Sequence, residues 1–158
     1  MSTQKIIRSH ERRNGQQGLA IVEFTIALPL LMFLLFAGAE VGRLLYQYNT
    51  LAKATEDGAR YLASQVRIAQ SNGTLGSVTS DAEKLVRYGS TLDNQPALLP
   101  GTVTITTNTT GASPAQINVT ASYAYQPMIF PNSIPGFGLW DDLLLARTVS
   151  SSINMPIL

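Results

Sequence analysis

The chain has no cysteine, one histidine and few charges: 11 Lys and Arg and 10 Asp and Glu among 158 residues, or 13%. Without cysteine there is no disulfide scaffold, no thiolate nucleophile and no cysteine-ligated metal. The one histidine, His10, stands in a basic stretch, so imidazole catalysis or imidazole metal ligation has almost nothing to work with. A net charge of +1 supplies no basic face of the kind that phosphate neutralisation needs, which argues against nucleic-acid binding. Soluble globular domains run at roughly a quarter charged residues. The deficit here, with 45% hydrophobic content, argues against disorder and implies that one segment carries most of the apolar weight.

The chain reads as four unequal parts. Residues 1–18 are polar and basic, with Lys5, Arg8, Arg12 and Arg13 against Glu11. Gly15, Gly18 and the amides between them make this stretch a poor helix former, so a flexible cytoplasmic lead-in is expected. The Arg12-Arg13 pair lacks the directly following apolar segment of a twin-arginine signal. Residues 19–39 hold a single charge, Glu23. As a helix at about 1.5 Å per residue they span roughly 32 Å, enough for a bilayer core of about 30 Å. Positive charge precedes the span and Glu40 balances Arg43 after it, which predicts a single pass with the N-terminus cytoplasmic and the C-terminal part periplasmic.

Residues 40–70 continue as an amphipathic helix. One stripe is expected at Val41, Leu44, Leu45, Tyr48, Leu51, Ala52, Ala59, Leu62, Val66 and Ala69, with Arg43, Gln47, Lys53, Glu56, Asp57, Arg60 and Arg67 on the polar face. Nothing breaks the helix between the span and Ser71-Asn72-Gly73, and Gly38, Gly42 and Gly58 only soften it. Residues 77–158 form a small α+β extracytoplasmic part. Ser80-Asp81-Ala82-Glu83 has capping-box spacing and predicts a short helix to about Leu92. Alternation over 102–108 and 116–125 predicts a hairpin turned at 111–114, and Leu143–Ser151 reads as a third strand. The fold class is therefore α+β: a long N-terminal helix packed against a short helix and a small antiparallel sheet.

The most informative constellation is Gly18-Leu19-Ala20-Ile21-Val22-Glu23-Phe24. An acid inside an apolar helix costs about 2.5–3.5 kcal/mol at mid-membrane and less near the interface, so a compensating partner is expected. A new amine at Leu19, freed by cleavage after Gly18, is such a partner. It would serve Glu23 of the same chain or of a neighbour in a parallel array, where a buried ion pair fixes register more than it stabilises.

This pattern resembles the processing site of type IV pilin-like proteins. Gly18, Ala20, Val22-Glu23-Phe24, Pro29, Gly38, Glu40, Gly42-Arg43 and Gly58-Ala59-Arg60 resemble more narrowly the TadE-like pseudopilins of the tight-adherence pilus system, over about residues 15–63. The resemblance implies a pilin-like fold and a substrate of a prepilin peptidase cut between Gly18 and Leu19. It further implies a minor pilin or pseudopilin acting with other pilins and the inner-membrane assembly platform in priming, tip or fibre assembly for surface adherence. Glu23 becomes the assembly and registry residue. The expected place is the inner membrane, with passage into an extracellular pilus after assembly.

Pro29 either kinks the span or is tolerated there, and Gly38 and Gly42 form a G-x-x-x-G step that offers a helix-packing face. Tyr46, Tyr48 and Tyr61 read as interfacial belt and core. Asp141-Asp142 is either a cation site or, more simply, a solvated turn. The sequons at Asn72, Asn108 and Asn118 carry weight only in a glycosylating host. No phosphate loop, nucleophile–base pair or metal cluster is visible, so no catalytic residue, metal or cofactor is expected and the protein is read as non-enzymatic. Two alternatives predict other mature chains: a secreted protein cut after Ala39 at Ala37-Gly38-Ala39, or an uncut single-span scaffold of a secretion complex that keeps residues 1–18.

Overall fold

Straight-chain and apolar side chains dominate the first seventy residues, and they form one helix, α1, over Gln4–Asn72. The computed structural model describes residues 4–110, 116–130, 133–145 and 147–157, with side chains from residue 18 onward except at 109 and 110. Helix α1 begins earlier than the expected Leu19. Each glycine in a helix interior costs about 1 kcal/mol. Propagation from an existing helix adds a hydrogen bond per residue, however, and Gln, Lys, Arg and Glu around these glycines are good helix formers. At the other end α1 stops where the sequence implies, at Gly73 in the left-handed region (φ 70°).

Two units divide the chain, Met1–Ala39 and Glu40–Leu158. In the first, the described side chains of the apolar run are exposed on nearly every face, Leu19, Phe24, Ile26 and Leu30 among them. A soluble amphipathic helix would bury one stripe. Residues 18–72 contain the stretch long and apolar enough to cross a membrane, and none of that stretch is buried.

The second unit joins the rest of α1 to a short helix α2, Leu75–Tyr88, and to strands β1, Val103–Thr110, β2, Gln116–Ala124, β3, Ser133–Ile134, β4, Leu143–Leu144, and β5, Thr148–Pro156. The fold is α+β, as the sequence implies. Strands β1, β2 and β5 form an antiparallel sheet in that order, and β3 pairs with β4 in a separate two-stranded ribbon. In register, Val103 stands opposite Tyr123 and Val119 opposite Ile153. Ile117, Val119, Ala121 and Tyr123 of β2 are buried, as are Leu51, Ala59, Leu62 and Val66 of α1. These two apolar faces make the core. The hairpin of β1 and β2 falls where alternation predicted it; its turn, 111–114, lies outside the described residues.

Three expectations need correction. Ser80 does not open α2: it lies inside a helix that starts at Leu75, and the N-cap Thr74 makes no side-chain cap bond. The helix also ends before Leu92, because Gly89 takes the left-handed conformation and its N–H bonds the Leu85 carbonyl at 2.8 Å. The third sheet strand is Thr148–Pro156 instead of Leu143–Ser151. The leucines of 143–144 pair with β3, while Val149, Ser151, Ile153 and Met155 supply the inward alternation.

The start of the amphipathic stripe is out of phase too. Gln47 is buried, whereas Leu45 and Tyr48 are exposed. Counting back from buried Leu51 in steps of four and three leads through Gln47 and Leu44 to Glu40, so the polar residues lie on the inward face.

Candidate functional site

The residues singled out from the sequence lie along α1. Gly18, Leu19 and Glu23 are all exposed, with Glu23 one helical turn after Leu19. The helix continues through Pro29, whose missing N–H leaves the Thr25 carbonyl without its usual partner. The Thr25 hydroxyl donates to the Ile21 carbonyl at 2.8 Å, which satisfies that polar side chain within the apolar run. Gly38 and Gly42 are open: a Cβ at either position meets nothing within 4 Å. Gly58 differs. A Cβ there would come within 2.5 Å of Val86 Cγ2 and 3.1 Å of the Ala82 carbonyl oxygen, so α2 crosses α1 at the one point where a side chain is absent.

The structure adds a polar cluster centred on Glu40, whose side chain is fully buried. Its carboxylate accepts a short hydrogen bond from the Tyr125 hydroxyl. It also accepts from the Met128 N–H at 3.1 Å and the Ile129 N–H at 2.8 Å. The Arg43 guanidinium stands 3.9 Å away and lies over the Tyr125 ring, 5.9 Å from its centroid. Burial pushes the Glu40 carboxyl up, but the Tyr125 bond, the two backbone donors and the Arg43 charge together hold it below the usual glutamate value. Burial first, and then the bond to Glu40, raise the Tyr125 hydroxyl to about 12, so it remains a donor at neutral pH. The cluster ties the first residue after the apolar run to the end of β2 and the loop beyond it.

The spacing of Gly18, Glu23, Pro29, Glu40 and Arg43 along one helix is the pattern to compare with known proteins. Residues 18–60 match the TadE-like protein family. No curated protein and no solved structure gives a match. The TadE-like segment begins at Gly18, includes Glu23, Pro29, Gly38, Glu40 and Gly42, and ends just past Gly58. Tyr125, Met128 and Ile129, which bind Glu40, lie outside it.

Asp142 Oδ1 accepts from the Gly136 N–H at 2.8 Å, so this carboxylate closes a turn. Among the described residues no group of three or more Asp, Glu or His side chains gathers in metal-binding fashion. A cleft of about 430 Å³ beside α2 is lined by Glu83, Lys84, Arg87 and Asp93 among others. Lys84 there pairs with Asp93 at 2.8 Å and with Asp81 at 3.7 Å, and the Asp93 bond holds its ammonium above the usual value; Arg87 donates to the Val103 carbonyl at 3.1 Å.

In the sequence Glu40 belongs to the TadE-like pattern and reads only as a charge flanking the apolar run. The signal for its partners was thin, because Tyr125 is 85 residues away along the chain.

Proposed function

We propose that this chain is a minor pilin or pseudopilin of a Tad-type pilus, anchored by residues 19–39 and cut by a prepilin peptidase between Gly18 and Leu19. The carrying observation is the TadE-like match, which starts at the glycine before the proposed cut and encloses Glu23. The fit is physical as well. Cleavage would convert Leu19 into a cationic N-terminus one turn from an acid that has no business in lipid. In a bundle of like chains that amine would meet Glu23 of its own or a neighbouring helix and set the axial register. The open faces at Gly38 and Gly42 suit close helix contact within such a bundle.

On this reading the protein works without catalysis. It sits in the inner membrane with its N-terminus cytoplasmic and Glu40–Leu158 periplasmic, and enters the extracellular fibre, its tip or its base with other pilins and the assembly platform. The uncharged outer face of the sheet suits presentation to a partner. There Asn118 donates to Asn154 at 2.9 Å and to Ser152 at 3.2 Å, and the Thr120 and Ser152 hydroxyls lie 2.9 Å apart. Glu23→Ala tests the registry role. The expected result is loss of surface pili at unchanged protein level; normal piliation with that variant would sink it.

A further inference from the structure

The loop that joins β2 to β5 is built differently from the rest of the sheet's surroundings. The Tyr125 N–H bonds the Arg147 carbonyl at 3.1 Å, closing the sheet at that end. This is the end marked by Glu40, because Tyr125, Met128 and Ile129 all bond its side chain. Glu40 in turn follows directly on Ala39, the last residue of the apolar run.

The loop exposes large apolar side chains. Met128 is 76% exposed, Phe137 71%, Leu139 80% and Trp140 53%, and Leu143 and Leu144 are exposed with them. Its tip is held in a strained shape: Phe137 and Gly138 both have positive φ, 51° and 77°, under a 2.9 Å bond from the Leu139 N–H to the Gly136 carbonyl. A left-handed conformation is strained at a bulky residue, and a Cβ at Gly136 would collide with the Trp140 carbonyl. The tight turn thus keeps phenylalanine, leucine and tryptophan at the surface at a cost in stability. Exposed apolar patches of this kind mark contact with a membrane or another protein.

We propose that this loop seats its apolar tip in the outer interface of the bilayer. The inference rests on the reading of residues 19–39 as the membrane anchor. Lipid is favoured as the occupant because Glu40, the first residue beyond the anchor, holds the start of the loop where the chain leaves the hydrocarbon. Tryptophan beside leucine and phenylalanine is also the composition of interfacial contact. No Lys or Arg occurs between Arg87 and Arg147, and the loop's charges are the exposed Asp141 and Asp142 beside Trp140, which stay on the water side while the apolar and aromatic side chains make a contact that does not depend on anionic headgroups.

Trp140 is the sole tryptophan of the chain, which makes the test direct. The full-length protein is reconstituted into phosphatidylcholine vesicles carrying lipids brominated either near the headgroup or near the chain end, and flotation of the protein with the vesicles is measured in the same samples. The expected result is loss of most Trp140 emission with bromine near the headgroup and much less with bromine at the chain end. Flotation without quenching at either depth overturns the inference and leaves the anchor standing. An emission shift that follows protein density instead of bromine assigns the patch to a second copy and also overturns it. Failure to float removes the anchor reading and this inference with it.

Discussion

Two glutamates bracket the apolar run, and each meets the cost of its charge differently. Glu40 has three hydrogen-bond donors and a nearby guanidinium within its own chain. Glu23 stands exposed on the helix, and the proposed function supplies its cation by cleavage. For Glu40 the consequence is measurable. Removing the Tyr125 hydroxyl leaves a buried carboxylate short of one donor, so Tyr125→Phe should lower stability by about 1.5–3 kcal/mol, read from denaturant melts of the full chain in detergent. The pH dependence has a definite sign. Glu40 is held below its unfolded value, so its contribution is present above the ordinary glutamate range and is lost as pH falls through that range and below. Tyr125 is raised from 10.0 to about 12, so its contribution is present below pH 10 and fades as pH rises toward 12. Melts across pH should show both losses in the parent chain and should lose the alkaline one in Tyr125→Phe.

At the scale of the elements, the contact of α1 with α2 turns on Gly58. A larger residue there must push Val86 and the Ala82 carbonyl aside. Gly58→Val is therefore expected to cost about 1–3 kcal/mol by overpacking. Gly42→Ala meets open space and should gain about 0.5–1 kcal/mol in the isolated chain from helix propensity. Equal effects at the two positions in thermal melts would refute the crossing.

This contrast also shows what a sequence can reveal about elements. The hairpin was legible because Ile117, Val119, Ala121 and Tyr123 alternate strictly and are all buried. The last strand was misplaced because the leucine run at 143–145 outweighs, by composition, a serine-rich strand that is only half-buried. The S-x-x-E pattern at Ser80 occurs by chance within a helix whose real start has no side-chain cap. The phase of the stripe near Glu40 was hidden for another reason: a buried acid and amide look polar until the donors that satisfy them are known.

At the scale of the whole molecule, an all-round apolar, unburied segment precedes an α+β unit that carries its own core. The first buries none of its apolar run within the chain, whereas the second buries a core of its own. That division suits a protein that is stored in a membrane and later built into a fibre, provided its N-terminus is remade on the way. The TadE-like match covers residues 18–60 and stops before the sheet.

The most direct measurement is the N-terminal sequence of the protein purified from cells with an active prepilin peptidase, alongside its Gly18→Ala variant. The protein should begin at Leu19 and the variant should accumulate with residues 1–18 attached. A chain beginning at Glu40, or one that keeps Met1 in both samples, would contradict the reading of Glu23 as an acid waiting for a new amine.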